Sequence, residues 1–316
     1  MATTPQQAVS RPADPQGFAR WGVYQRERFP LLAHGPLVLA FSFSAVSYSS
    51  LLRGQHGIPP LPNIAVSFVT ALLFFLQLRI ADEFKDFEDD SRYRPYRPVP
   101  RGLVKLKELA VLGVIAAAIQ LGLALWLSPA LVPFLLLVWA YLALMTKEFF
   151  VPEWLKAHPV VYMVSHMAIM PLIDLYATTC DWRVANVPAP EGLIWFLFVS
   201  FLNGIVIEVG RKLRAPEQEE EGVETYTVLW GRKVAPAVWV GAIIGTAIVA
   251  FLAAREIHFV VPVVSLLSVL VSLAIIIAAR FAAQPEAKRA KWFEPLSGVW
   301  TLAMYLSLGA LPRMLK

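Results

Sequence analysis

Two short stretches hold most of the side chains with which this 316-residue sequence can do chemistry. The first, "RIADEFKDFEDDSRYRPYRPVPRG" from Arg79 to Gly102, places six acidic and six basic residues in 24 positions. The second, "EVGRKLRAPEQEEEGVE" from Glu208 to Glu224, adds six carboxylates, so the two hold 12 of the chain's 23 acidic residues. Asp82, Asp86 and Asp90 are spaced i, i+4, i+8, and on a continuing helix they form one slowly drifting stripe with Glu83 beside it. Like charges so spaced cost a bare helix a few tenths of a kcal/mol per pair, roughly, so a compensating cation is expected. Lys85, about 100° round an ideal helix from Asp86, is expected to face away from the stripe. For a single charge run, a solvated helix end balanced by Lys85 and the following arginines is the plainer account. Recurrence favours a site instead, because each acidic cluster is accompanied by arginines: Arg92, Arg94, Arg97 and Arg101 in the first stretch, Arg211 and Arg214 in the second. Carboxylates converging with Lys and Arg suit a divalent cation and a polyphosphate. Mg²⁺ accepts a few carboxylates with water and phosphate oxygens, and guanidinium groups grip phosphate bidentately.

The elements that position these charges are apolar. The chain is 57% hydrophobic and 16% charged, against about 25% charged for soluble domains. Apolar runs near the roughly 20 residues needed to cross a bilayer recur along almost the whole length. Nine are expected to span, at about Gly35–Leu52, Ile64–Phe84, Leu106–Leu127, Leu131–Met145, Val160–Cys180, Leu193–Ile207, Val234–Ala254, Phe259–Ala279 and Pro295–Leu311. Unbroken apolar runs without two-residue alternation select helices over a barrel. The expected class is therefore an all-α polytopic membrane protein, one domain over residues 31–316, preceded by a flexible and interfacial tail over residues 1–30. That tail lacks the apolar core of a cleaved signal peptide. With a cytoplasmic N-terminus, 22 of the 28 Lys and Arg fall on inner segments and five on outer ones, with Arg79 inside the second helix. Both acidic stretches then begin at cytoplasmic helix ends. Cys180 is the only cysteine and no Cys/His cluster has metal-site spacing, so redox chemistry is not expected. Nor is a nucleic-acid partner.

"DEFKDFEDD" followed by "RPVPRG" resembles the first aspartate-rich motif of the UbiA-type intramembrane prenyltransferases, Asn-Asp-x-x-Asp-x-x-x-Asp followed by Arg-Pro-[apolar]-Pro-x-Gly. "EGVETYTVLWG" resembles the family's Gly-x-x-Thr segment ending at a Gly, with Gly222, Thr225 and Gly231 in register. The resemblance runs from about Arg28 onward, and the family's nine helices match the count above. It also implies two aspartate-rich motifs after the second and sixth helices, where both acidic stretches fall. The sequence departs from the pattern in places. Asp82 stands where the family has Asn and Glu83 where it has the first Asp, while Asp86 and Asp90 match. Glutamates replace the second motif, either Glu217 and Glu221 at i, i+4 or Glu208 at the helix end. The resemblance thus implies Mg²⁺ held by Asp82, Glu83, Asp86 and Asp90 on one side and by Glu208, Glu217 or Glu221 on the other. Arg97, Lys147, Arg211 and Lys212 are the candidates to hold a diphosphate, Lys147 standing where the family commonly has a basic residue.

Such a site suits ionisation of an allylic prenyl diphosphate: cations stabilise the leaving group, and a dry aromatic chamber protects the carbocation. The expected partners are a prenyl diphosphate, a lipophilic or aromatic acceptor and membrane lipid. Cyclisation of the prenyl chain into a terpene is the alternative reaction, and a non-enzymatic transporter or interaction protein the alternative class. Transporters carry charge at the midplane within internal repeats; here the charge gathers at one face. Arg79 can orient Glu83 at i, i+4 or anchor at the interface. His166, Asp174 and Asn203 are intramembrane polar groups, which face a bundle interior by default. Tyr141 and Tyr162 are possible cation-facing aromatics.

Overall fold

The computed structural model describes residues 14–220 and 222–315, and every regular element among them is helical. Near the N-terminus are α1 (Ala19–Arg28), α2 (Leu31–Leu52), α3 (Leu61–Lys85) and α4 (Phe87–Tyr93). The middle of the chain forms α5 (Leu106–Leu127), α6 (Val132–Thr146), α7 (Pro152–Ala157), α8 (Pro159–Met167), α9 (Ile169–Trp182) and α10 (Leu193–Arg211). The last third holds α11 (Tyr226–Glu256), α12 (Val260–Ala283), α13 (Ala287–Ala290), α14 (Phe293–Gly309) and α15 (Leu311–Leu315). Helices predominate because hydrocarbon offers no partner for backbone N–H and C=O groups.

Eight stretches among the described residues are long and apolar enough to cross a membrane: α2, α3, α5, Pro129–Thr146, Pro159–Trp182, α10, α11 and α12. The ninth expected run is α14, a 17-residue helix, about 25 Å long at 1.5 Å per residue. It packs against α2, α10 and α12. Breaks within the long elements have local causes. Gly231 takes φ 79° and ψ 160°, detaching the first turn of α11 from its long span, and Pro236 falls in the first turns after that break, where its missing N–H is tolerated.

The bundle core is aromatic. Tyr48 stacks on Phe196 at 4.8 Å, Phe41 and Phe196 both meet Tyr305 edge-on, and Trp239 and Trp300 are fully buried. Several buried polar groups cross-link helices. Trp139 Nε1 donates to Gln120 Oε1 at 3.0 Å, while Gln120 Nε2 donates to the Thr70 carbonyl at 3.1 Å. Trp300 Nε1 donates to Asn203 Oδ1 at 3.1 Å, and Tyr305 Oη to Asp174 Oδ2 at 2.7 Å, so both intramembrane polar residues sit inside the packed core.

A smaller cluster docks α1 on the end of α3. Tyr24 is buried among Ile80, Val99, Leu103, Val104 and Leu109. Arg20 pairs with Glu108, Arg28 with Glu83, and Arg101 with both Asp14 and Glu27 at 2.8 Å. Of the segment expected as a tail, residues 1–13 lie outside the described residues, whereas residues 19–28 form this docked helix.

Candidate active site

The end of the bundle that carries α1 also carries a polar cavity of about 270 Å³. Lys85, Asp86 and Asp89 reach it from the end of α3 and from α4. Glu148, just beyond α6, and Lys156 and Tyr162, from α7 and α8, form the opposite wall. Lys212, Gly222, Glu224 and Tyr226 close it from the α10–α11 connection. Helix α3 ends at Lys85, and Asp86 takes φ −91° and ψ 5° as the junction with α4, so the acidic stretch is two helices meeting at Asp86 rather than one straight stripe.

That junction separates the expected carboxylates. Asp82 is half-exposed and lies 3.4 Å from Arg79. Glu83 is buried and turned toward α1, where Arg28 neutralises it. Asp90 is buried and clasped by Arg94 at 2.8 Å and Arg97 at 2.6 Å, so Arg97 is engaged in holding α4 to the following turn. Of these four carboxylates Asp86 is the one lining the cavity, and it makes no ion pair among the described residues. Burial pushes its carboxyl above the ordinary range, Lys85 opposes the shift, and Asp82 and Asp90 reinforce it.

On the other side, Glu208 accepts ion pairs from Arg211 at 2.5 Å and Lys212 at 2.8 Å. Lys212 also lies over the Tyr226 ring, 5.6 Å from its centroid, and so faces both Glu208 and the cavity. Glu217 is exposed and accepts a hydrogen bond from the Ala287 N–H at 2.7 Å, which holds its carboxyl below the ordinary range. Glu221 lies outside the described residues. Lys147 caps α6 with its side chain exposed, while its neighbour Glu148 is buried and lines the cavity.

Lys85, expected to face away from Asp86, lines the same cavity. Its Nζ donates to Tyr162 Oη and lies 3.7 Å from Glu148 Oε1. An angular separation of 100° on one helix does not keep two side chains apart when several elements wall the space between them. Asp89, Glu148, Lys156, Glu224 and Tyr226 were also not singled out by sequence. The charged pair Lys147–Glu148 at the end of an apolar run was the available signal for Glu148; Lys156 carried none.

Tyr162 and Tyr226 are the aromatic residues of the lining, and Tyr162 leads into a cluster of rings behind it. His166 stacks on Tyr162 with ring centroids 3.9 Å apart, its Nδ1 is 2.8 Å from the Tyr162 carbonyl, and its Nε2 has no partner. Phe149 meets the edges of His166 and Tyr141, and Tyr141 Oη is anchored on the Ser165 carbonyl at 2.7 Å. The three residues of the Gly-x-x-Thr segment have separate physical roles. Gly222 takes φ +75°, and a Cβ there would press into the Tyr93 ring; Thr225 caps α11 by accepting from the Val228 N–H; Gly231 makes the break already described.

Among the described residues no three His, Cys, Asp or Glu side chains converge as a ready-made metal cage. Asp86 and Asp89 on one cavity nevertheless fit Mg²⁺, which is commonly held by one or two carboxylates with water and substrate phosphates. The unpaired, partly buried Asp86 is the donor that a cation would relieve.

A multi-pass bundle of apolar helices with a charged cavity at one end defines an integral membrane protein. The chain belongs to the UbiA prenyltransferase family, whose model matches residues 39–308. Its fold is similar to a solved UbiA homolog from Aeropyrum pernix K1, with TM-score 0.66 and 13% identity over 86% of this chain and 96% of that one. It is also similar to a solved digeranylgeranylglyceryl phosphate synthase, with TM-score 0.63 and 15% identity over 92% of this chain and 97% of that one. No curated protein sequence matches the chain significantly.

Proposed function

We propose that the cavity binds the diphosphate of an allylic prenyl diphosphate together with Mg²⁺ and transfers the prenyl group to a lipophilic or aromatic acceptor within the membrane. One observation carries the reading: Lys85, Lys156 and Lys212 share a cavity with Asp86 and Asp89, and the rings of Tyr162 and Tyr226 line that same cavity. Cations at one end match a diphosphate, and apolar surroundings match an isoprenoid chain. Asp86 and Asp89 would hold the metal, which supplies electrostatic stabilisation of the leaving diphosphate.

In this reading the bond between the allylic carbon and the diphosphate oxygen breaks, and its electron pair leaves with the diphosphate. Lys85 and Lys212 face that charge at fixed distances from Glu148 and Glu208, so little reorganisation accompanies its growth. The Tyr162 and Tyr226 rings that line the cavity stabilise the allylic cation. The acceptor then forms a bond to that carbon and gives up a proton, for which His166 Nε2, buried, unpartnered and stacked behind Tyr162, is a candidate base.

The test is incubation of the purified full chain with Mg²⁺ and prenyl diphosphates of several lengths, with and without aromatic acceptors. Pyrophosphate release that requires an acceptor supports transfer. A cyclic hydrocarbon or alcohol without acceptor replaces transfer with cyclisation, and no consumption of any prenyl diphosphate overturns the reading.

A further inference from the structure

A second cavity, of about 630 Å³, opens between α12 and α14. Leu270, Leu273 and Ile277 wall it from α12, and Leu296 and Val299 from α14. Arg280, Lys288, Arg289 and Trp292 gather at one end. From Leu270 to Arg280, ten helical steps rise about 15 Å, which is about half of a ~30 Å hydrocarbon core. The groove therefore has the depth of one leaflet. Its cationic end is on the same side of the bundle as the charged cavity, because Ala287 at the start of α13 is tied to Glu217 on the α10–α11 connection. By the distribution of Lys and Arg, that side is the cytoplasmic one.

Ordinary lipid-facing surface accounts for the apolar walls but not for the mouth. Arg280 is exposed and makes no ion pair among the described residues. Arg289 is oriented by donating to the Arg280 carbonyl and to Gln284 Oε1, without a carboxylate partner. Lys288 shares Glu286 at 2.8 Å, and Lys291 lies over the Trp292 ring at 5.5 Å. Four cations against Glu286, Glu294 and Glu217, the last held on the Ala287 N–H, leave a local surplus of one positive charge where a leaflet places its phosphates, and none of the three carboxylates pairs with Arg280 or Arg289 among the described residues.

We propose that this groove is a binding site for one anionic phospholipid of the cytoplasmic leaflet. Arg280, Arg289 and Lys288 take the headgroup, Trp292 lies at the interfacial level, and the acyl chains follow the Leu270–Ile277 face of α12 against α14. Charge complementarity selects an anionic occupant over a zwitterionic one, since both would fill the apolar walls equally well. Occupancy of the groove requires neither a ligand in the charged cavity nor prenyl transfer.

The test is native mass spectrometry of the full chain in detergent, titrated with phosphatidylglycerol or with phosphatidylcholine of the same acyl chains. Wild type is expected to retain phosphatidylglycerol at least about tenfold better, given the reach of juxtamembrane Lys and Arg for anionic headgroups. Arg280→Gln with Arg289→Gln should erase that preference. Arg280→Gln alone, at an exposed side chain, should weaken it several-fold and serves if the double variant does not fold. Leu273→Trp with Ile277→Trp should block retention while leaving every headgroup cation in place. Equal retention of the two lipids, or a preference that survives the arginine changes or the filled groove, overturns the proposal. Displacement of phosphatidylglycerol by an equal concentration of inorganic phosphate or prenyl diphosphate overturns it too, as does a dimer in detergent that closes this face.

Discussion

At Asp86 two demands oppose each other. Burial and the neighbouring Asp82 and Asp90 disfavour its anion, yet a cation site in this cavity requires that anion. Asp86→Asn is therefore expected to lower turnover at least 100-fold, about 2.7 kcal/mol of transition-state stabilisation, without loss of folding. The sign of the stability effect follows from the raised carboxyl. The folded state holds its proton above the ordinary value of 3.8, so wild-type stability falls as pH rises through the interval between that value and the folded one. The Asn variant lacks that slope, and metal-free melting curves from pH 3 to 8 should show it gaining on wild type above about pH 4, with Mg²⁺ narrowing the gap. A variant that keeps near-wild-type turnover across Mg²⁺ concentrations would move the active site elsewhere. Lys85→Gln should also cut turnover tenfold or more, because it removes a cavity cation and leaves the buried Glu148 without its partner. Glu217→Gln should leave turnover within about threefold in the same assay, since its carboxyl is tied to the Ala287 N–H; a loss as large as that of Asp86→Asn would return Glu217 to the site. These three residues show what spacing alone conveys. Carboxylate type and i, i+4 repetition drew attention to a stretch that reaches the cavity, but which carboxylate meets a salt-bridge partner depends also on side chains far off in sequence, such as Arg28 for Glu83.

Among the elements, α1 is the one whose role the sequence concealed. Its composition, "ARWGVYQRER", is polar enough to read as a tail, and its few apolar side chains gain meaning only against the loop that carries Val99, Leu103 and Val104. The Arg28–Glu83 pair locks that docking in a nearly dry setting. Breaking it from one side leaves a buried charge, so Arg28→Gln should destabilise the protein by about 3 kcal/mol, whereas Arg28→Gln with Glu83→Gln should recover most of the loss. Thermal unfolding in detergent reads both; equal destabilisation by the single and double variants would show that the pair itself is not what holds α1. The α10–α11 connection was more legible, because its constraints are backbone ones. Gly222 requires a positive φ and open space beside Tyr93, and Thr225 requires a side-chain oxygen at a helix start, and each such requirement narrows the residue type directly.

For the molecule as a whole, the all-helical class and most spans were written in the length and spacing of the apolar runs, since a bilayer rewards both without reference to tertiary partners. The last expected span is the one that falls short as a helix, because α14 has 17 residues and carries Glu294 in its first turn. Contacts at its two ends bear on whether it crosses. Just before it, α13 is tied through Ala287 to Glu217 at the charged end of the bundle. Just after it, Arg313 donates to the Ser47 carbonyl and Ser50 Oγ at 2.9 Å, beside the pair that Arg53 makes with Asp181 at 2.7 Å. Arg53 follows α2 and Asp181 ends α9, both at the end of the bundle opposite Arg28 and Glu83, so α14 runs from one end to the other. With the N-terminus inside, as the division of 22 inner against five outer Lys and Arg favours, the C-terminus should then be extracytoplasmic. A reporter fused after Lys316 is expected to respond from outside and one inserted near Gln218 from inside. If both respond from the same side, α14 does not complete a crossing, and the membrane boundary must be redrawn around eight spans.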